Sequence, residues 1–301
     1  LVAGDQVIRA TKTATGDDLL KTLKVAMDHT LEDVDAGQID RMGFSTTMAI
    51  NAIVQDGLEP AGMIVSAGPG MDPGWFAVGP SYHVVDGCID HQGYEVNPLD
   101  KDGVADAVSR IRESHIRVIG VVGKFSVRNP IHEHQITTWI GDEFLHLAMG
   151  HQVSGALNFP RRITTTYLNA ALYPIQAQFS EALNHLLDEK GLSDPRYLLK
   201  PDGGTVLLSR GNQSPARMAQ SGPAASVMGA LALDNCEGTT LVLDIGGTTT
   251  DMAVILDGAP LMNPHGIRLG GYQTLIRSLL THSLGLGGDS EVRIDGRGVL
   301  R

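Results

Sequence analysis

Hydrophobic and polar positions along the chain change period repeatedly, and the changes predict alternating strands and helices. Val118-Ile119-Gly120-Val121-Val122 is an unbroken apolar run of strand length, as expected for a strand buried on both faces. Residues 17–31, from Asp17 to Leu31, instead repeat apolar side chains at helical spacing, with Leu19, Leu20, Leu23 and Met27 inward. By the same reasoning strands are predicted over 6–10, 42–45, 62–66, 84–96, 117–125, 152–156, 205–208, 240–244 and 252–256. Helices are predicted over 46–55, 101–114, 130–140, 166–190 and 223–233, with Asn129 as the cap of the third. A Gly/Pro-rich loop fills 68–80, and Asp202-Gly203-Gly204 reads as a tight turn.

This alternation predicts an α/β protein whose mixed sheets are flanked by helices. The 166–190 helix, followed by a break at 191–195, is the expected connector of two lobes, 1–164 and 165–301. The chain opens on Leu1 in mid-pattern and stops at Arg301 soon after a glycine-rich stretch, so both ends read as cut.

Composition narrows the classes of function. A formal charge of −11 over 301 residues argues against a broad nucleic-acid interface. No apolar run approaches the roughly 18 to 20 residues of a membrane span. Two cysteines, Cys88 and Cys236, without CxxC spacing suit a reducing, cytoplasmic setting better than a cysteine-stapled scaffold.

The candidate chemistry centres on Asp244-Ile245-Gly246-Gly247-Thr248-Thr249-Thr250-Asp251, set between two predicted strands. Gly246 and Gly247 carry no side chains, so their backbone N–H groups can approach a phosphate closely, and such turns form anion-binding nests. The hydroxyls of Thr248 and Thr249 add donors. Asp244 at the strand tip suits Mg²⁺, which takes one or two carboxylates together with phosphate oxygens and water. Asp251 is placed to orient a water or the threonines. No lysine follows, as a Walker loop requires, and the spacing of a dinucleotide fingerprint is absent. The expectation is therefore a site for ATP with Mg²⁺.

Several further segments, in order along the chain, carry a resemblance. They are Ser45-Thr46-Thr47-Met48-Ala49-Ile50-Asn51-Ala52, Asn129-Pro130-Ile131-His132-Glu133, residues 165–172 around Asn169, and Asp202-Gly203-Gly204. Ser221-Gly222-Pro223-Ala224-Ala225-Ser226, the 244–251 octapeptide, and His282-Ser283-Leu284-Gly285-Leu286-Gly287-Gly288-Asp289-Ser290 complete the set. Together they resemble the hydantoinase A/5-oxoprolinase family, of the actin/hexokinase/chaperone ATPase superfamily. The resemblance implies an actin-like (ribonuclease H-like) fold and ATP-dependent opening of a small cyclic amide, such as a hydantoin or 5-oxoproline. The amide oxygen would be phosphorylated to make a leaving group before water attacks. It also implies a second subunit or a homo-oligomer as partner. Two departures stand out. The family's first phosphate loop is expected ahead of Leu1, and Asp289 stands where many relatives have a third glycine.

Other candidates carry competing readings. Ser221 and Gly222 open a predicted helix, where a cap or a phosphate contact would suit them. Gly287 and Gly288 suit an adenosine-side loop or a flexible turn. Thr46, Thr47 and Asn51 sit at a strand-to-helix junction as caps or substrate contacts, and His282 is a further substrate candidate through the resemblance. His132-Glu133-His134 does not bring zinc ligands together as HExxH does, and Cys88, Asp90 and His91 are equally thin. A non-catalytic ATP switch and a small-metabolite kinase are the alternative functions.

Overall fold

The computed structural model describes residues 1–4, 6–14, 19–193, 195–234, 236–291 and 293–294. The predicted helix start at Asp17, the side chain of Leu19 and the chain end at Arg301 lie outside the described residues.

Four parallel strands form the central sheet, in the order Ser81–Val85, Ala61–Ser66, Val118–Gly123, His146–Met149. The inner two are buried along their whole length, which is why they read as continuous apolar runs. Period-two alternation sorts their side chains into two clusters. Met63 and Val65 pack with Ile163, Tyr167 and Leu168, while Ile64 packs with Val104, Val108 and Ile111 of the Lys101–Glu113 helix. The first of these contacts needs Gly120, where a Cβ would lie 2.6 Å from Met63 Sδ and 3.1 Å from Thr166 Cγ2.

The long helix runs Phe159–Glu189, starting well before the predicted 166. Its local signal is a cap: the Asn158 side chain accepts from the Arg161 N–H at 3.2 Å, and Pro160 fits the first turn. The expected lobe boundary at 164/165 falls inside this helix, and one buried cluster around it reaches from Ala49 to Ile276.

Two strand predictions need correction. Residues 84–96 form three short strands, Ser81–Val85, Cys88–Ile89 and Glu95–Asn97, in place of one. Gly87 breaks the run at φ 148°, and the Asp90 carboxylate turns the chain by accepting from the N–H groups of Gln92 and Tyr94, both at 2.9 Å. Residues 152–156 are not a strand. Gly150–Val153 is a helical turn, and the strand lies just before it at His146–Met149, paired with Val118–Val121.

A smaller sheet joins Met42–Phe44 in parallel to Arg196–Leu199, which pairs antiparallel with Thr205–Leu207. The turn between the last two is Asp202-Gly203-Gly204, as predicted, with Gly203 at φ 80° and Gly204 N–H on the Asp202 carboxylate. The third main sheet is a hairpin, Thr239–Ile245 with Thr250–Leu256, extended by Thr281–Leu284 and Ala259–Pro260. Helix Ser221–Leu233 covers one face of it through Ala224 and Val227, which meet Ala253 and Ile255. Cys88 and Cys236 are both free and buried.

Candidate phosphate site

Strict antiparallel register sets Asp244 directly opposite Asp251 at the open end of the hairpin. Side chains of directly paired residues emerge on one face, and this is the face that the Ser221–Leu233 helix covers. The Ser226 hydroxyl donates to Asp244 from that helix. Ser283, opposite Asp251 on the next strand, donates to the Asp251 carboxylate. Each carboxylate is thus oriented by one serine, and neither serine was assigned a role from sequence. Ser226 was legible only as part of the 221–226 motif, and Ser283 only through the period of a strand whose pairing was unknown.

Between the carboxylates, the Gly246 N–H donates to the Thr249 carbonyl at 2.9 Å and closes the turn. The carbonyls of Gly246 and Gly247 are turned to the second glycine loop, where they accept from Gly288 N–H at 2.9 Å and Asp289 N–H at 2.8 Å. Thr250 Oγ1 donates to the Leu286 carbonyl at 2.6 Å, and the Gly287 N–H donates to Ser290 Oγ at 3.0 Å. A Cβ at Gly287 would fall on the Gly247 carbonyl and 2.7 Å from the Gly246 oxygen. The two loops that the sequence separates by some forty residues are therefore one interlocked structure. With their carbonyls engaged, Gly247 and Thr248 present N–H groups that take no partner among the described residues, in an exposed loop. Successive free N–H donors of this kind are what an anion-binding nest uses.

The charged side chains of the two loops are all carboxylates. Among the described residues Asp244, Asp251 and Asp289 form no ion pair, and no group of three or more His, Cys, Asp or Glu side chains could cage a metal ion. These donors do fit a cation held largely by phosphate oxygens and water, with one or two carboxylates, which is the usual Mg²⁺ arrangement.

The other predicted residues fall in three places. Ser221 is fully buried as the first residue of its helix, behind Gln220 in the left-handed region at φ 60°. Its hydroxyl does not cap that helix. It hydrogen-bonds Ser45 Oγ at 2.9 Å, accepts from Thr46 N–H at 3.4 Å and donates to the Thr46 carbonyl at 3.3 Å. Gly222 follows with open space where a Cβ would point. Thr46 Oγ1 caps locally by accepting from Met48 N–H at 3.1 Å, and Thr47 Oγ1 accepts from Asn51 Nδ2 at 3.3 Å. Beside them lies a cavity of about 300 Å³, lined by Thr13, Phe44, Ser45, Thr46, Thr47 and Phe179. One helix thus connects this segment, through Ser221, with the phosphate loop, through Ser226. His282 pairs with Met252 and so lies on the opposite face of the sheet from Asp244 and Asp251. The structure does not bring it to the carboxylates.

His132 and Glu133 are engaged elsewhere. His132 Nε2 lies 3.0 Å from Glu95 Oε1, and the fully buried Glu133 accepts from Gly123 N–H at 2.9 Å and His151 N–H at 3.0 Å. Glu133 ties the end of a central strand to the helical turn Gly150–Val153, which follows the neighbouring strand.

Comparison with known proteins identifies the family and the fold. Residues 1–144 match the family described as hydantoinase/oxoprolinase N-terminal region, and residues 162–301 match hydantoinase/oxoprolinase. Caprolactamase subunit alpha of Pseudomonas jessenii is 25% identical over 221 residues, covering 72% of this chain and 32% of its own length. The acetophenone carboxylase gamma subunit of Aromatoleum aromaticum is 26% identical over 219 residues, covering 70% and 30%. The chain thus spans about a third of these relatives. Among solved structures, nucleotide-free acetone carboxylase superposes with a TM-score of 0.78 at 20% identity, covering 96% of this chain and 46% of that one. The ATP-dependent caprolactamase of Pseudomonas jessenii superposes with a TM-score of 0.76 at 21% identity, covering 100% and 48%. The architecture is that of the actin-like ATPases. Among the described residues, no helix is long and apolar enough to cross a membrane.

Proposed function

This chain belongs to the hydantoinase/oxoprolinase family, and from that premise we propose that it is the nucleotide-binding part of an ATP-dependent hydrolase that opens a small cyclic amide. The observation that carries the reading is the interlock of the two glycine loops, which turns the carbonyls of Gly246 and Gly247 away and leaves N–H groups free for phosphate. ATP, when bound, supplies the phosphoryl group that makes the amide oxygen a leaving group. Mg²⁺ would be held at Asp244, directly or through water, and neutralises charge on the phosphates.

The chain's own residues position and orient. Gly246, Gly247, Thr248 and Thr249 form the cradle, with Gly287 and Gly288 as its second wall. Ser226 holds the Asp244 carboxylate, and Ser283 holds that of Asp251, so that Asp251 can orient a water. Ser221 and Gly222 place a helix N-terminus, with its positive end, behind the phosphates. The cavity lined by Thr46 and Thr47 is the proposed place for the cyclic amide, with Asn51 bonded to Thr47 Oγ1 one turn further along the helix, and its small volume suits a single ring. The same proposal takes 1–164 and 165–301 as the two lobes, a cytoplasmic setting, and a partner subunit or second copy, since the relatives above are named as subunits.

The test is ATP hydrolysis measured with a panel of cyclic amides under Mg²⁺, followed by ³¹P NMR. Stimulated hydrolysis that yields inorganic phosphate and a ring-opened acid is expected. A stable phosphorylated product would point to a kinase, and stimulation by a protein partner alone would point to a switch; either result defeats the hydrolase reading.

A further inference from the structure

The space that Gly247 leaves open is not empty of charge. A Cβ there would lie 2.7 Å from Asp289 Oδ2, so the Asp289 carboxylate rests against the phosphate loop where it is barest. Its backbone is fixed in that position, because Asp289 N–H donates to the Gly247 carbonyl at 2.8 Å while Gly288 N–H holds the neighbouring carbonyl of Gly246. Gly287, pressed on the same carbonyls, leaves this loop no room to slide. Asp289 is exposed, and among the described residues its carboxylate takes no hydrogen bond and no ion pair. Among the described residues no lysine or arginine is paired with the other two carboxylates of the site either. A phosphate loop normally offsets anionic phosphate with positive charge. This loop offers an anionic ligand N–H donors and, a few ångströms away, a fixed negative charge.

We propose that Asp289 makes nucleotide binding conditional on a divalent cation, admitting the metal–nucleotide complex and repelling the free nucleotide. The inference rests on the nucleotide reading above. A bare triphosphate reaching the Gly247 and Thr248 N–H groups meets the Asp289 carboxylate at contact. A cation bridging phosphate oxygens converts that repulsion into attraction, and Asp289 becomes a carboxylate partner of the cation or of its water shell. At an exposed site, one unit charge a few ångströms from another changes affinity by about tenfold. Asp289 is in these terms a specificity-determining residue. It selects the charge state of the ligand through its own carboxylate, while its backbone N–H does the structural work of the loop.

Isothermal titration calorimetry separates the two roles. ATP is titrated into the wild type with excess Mg²⁺ and again with EDTA, and the ratio of the two affinities is compared with that of Asp289→Asn and Asp289→Glu. Asp289→Asn is expected to lower the ratio by about tenfold, mainly by tightening metal-free binding, and Asp289→Glu is expected to keep the wild-type ratio. If Asp289→Asn changes both affinities equally or neither, the residue is structural and the inference is overturned. If the wild type binds ATP under neither condition, the nucleotide reading itself fails. Circular dichroism melts on both variants confirm that the comparison is between folded chains.

Discussion

His146 shows how a single residue couples burial to pH. Its ring stacks on Tyr173 with centroids 3.9 Å apart, and its buried Nε2 has no hydrogen-bond partner among the described residues. Burial lowers its pKa from 6.5 to about 4, because the charged ring would lose its hydration. The unfolded chain therefore binds this proton below about pH 6.5, whereas the folded chain does so only below about pH 4. The stability of the neutral ring is fully present above 6.5 and is lost as pH falls toward 4. A His146→Phe variant keeps the stack and removes the titration. Urea midpoints at pH 7 and pH 4.5 should fall further for the wild type than for the variant. Equal falls in the two chains would refute this account. Nothing in the local sequence marks His146 in this way, because its strand and its stacking partner come from distant segments.

At the scale of elements, the Ser221–Leu233 helix joins the two parts of the candidate site. Ser221 at its start binds Ser45 and Thr46, and Ser226 in its second turn binds Asp244. Ser221→Ala removes the buried hydroxyl that bonds the exposed Ser45 and the half-buried Thr46, and a lost hydrogen bond whose partners can still reach water costs about 0.5–1.5 kcal/mol. We expect a loss of that size in urea unfolding, together with faster hydrogen exchange at the amides of Thr46 and Met48. A helix-start serine is commonly read as a cap, and here the sequence reading allowed that. With the left-handed Gln220 in the cap position the helix starts at Ser221, two residues before the predicted 223, and the hydroxyl is free for a segment 176 positions away. Capping signals are local: Asn158 and Asp100 cap their helices through neighbouring N–H groups, although the sequence reading named only Asn129 and started the long helix at 166. Long-range use of the same side-chain type is not local, since it depends on which elements pack together.

For the whole molecule, the buried cluster around the Phe159–Glu189 helix includes Ala49 from the segment beside the small cavity and Ile267 and Leu269 from near the hairpin sheet. The hairpin packs in its own cluster with Ala224 and Val227, but their helix is tied through Ser221 to Ser45 and Thr46, so ligand binding at the hairpin should stabilise the chain as a unit. MgATP at a hundredfold excess over its dissociation constant would contribute about 2.7 kcal/mol. We expect one melting transition, shifted upward by several degrees, in differential scanning calorimetry. Two transitions, with only one of them shifted, would show instead that the lobes unfold independently.

What the chain's order of residues determined by itself was local or periodic. The buried strands at Ala61–Ser66 and Val118–Gly123, the hairpin around the phosphate loop and the turn at Asp202-Gly203-Gly204 follow from apolar runs, alternation and glycine placement. Those signals act over a few residues and survive whatever packs on them. Tertiary structure alone decided the rest. It split 84–96 into three strands and made His146–Met149 a strand, because pairing partners outweigh weak local propensity. Pairing of Met252 with His282 turned that histidine away from the carboxylates and brought Ser283 to Asp251. The interlock of Gly287 with Gly247, and with it the place of Asp289, arises only when two loops far apart in the chain meet across neighbouring strands.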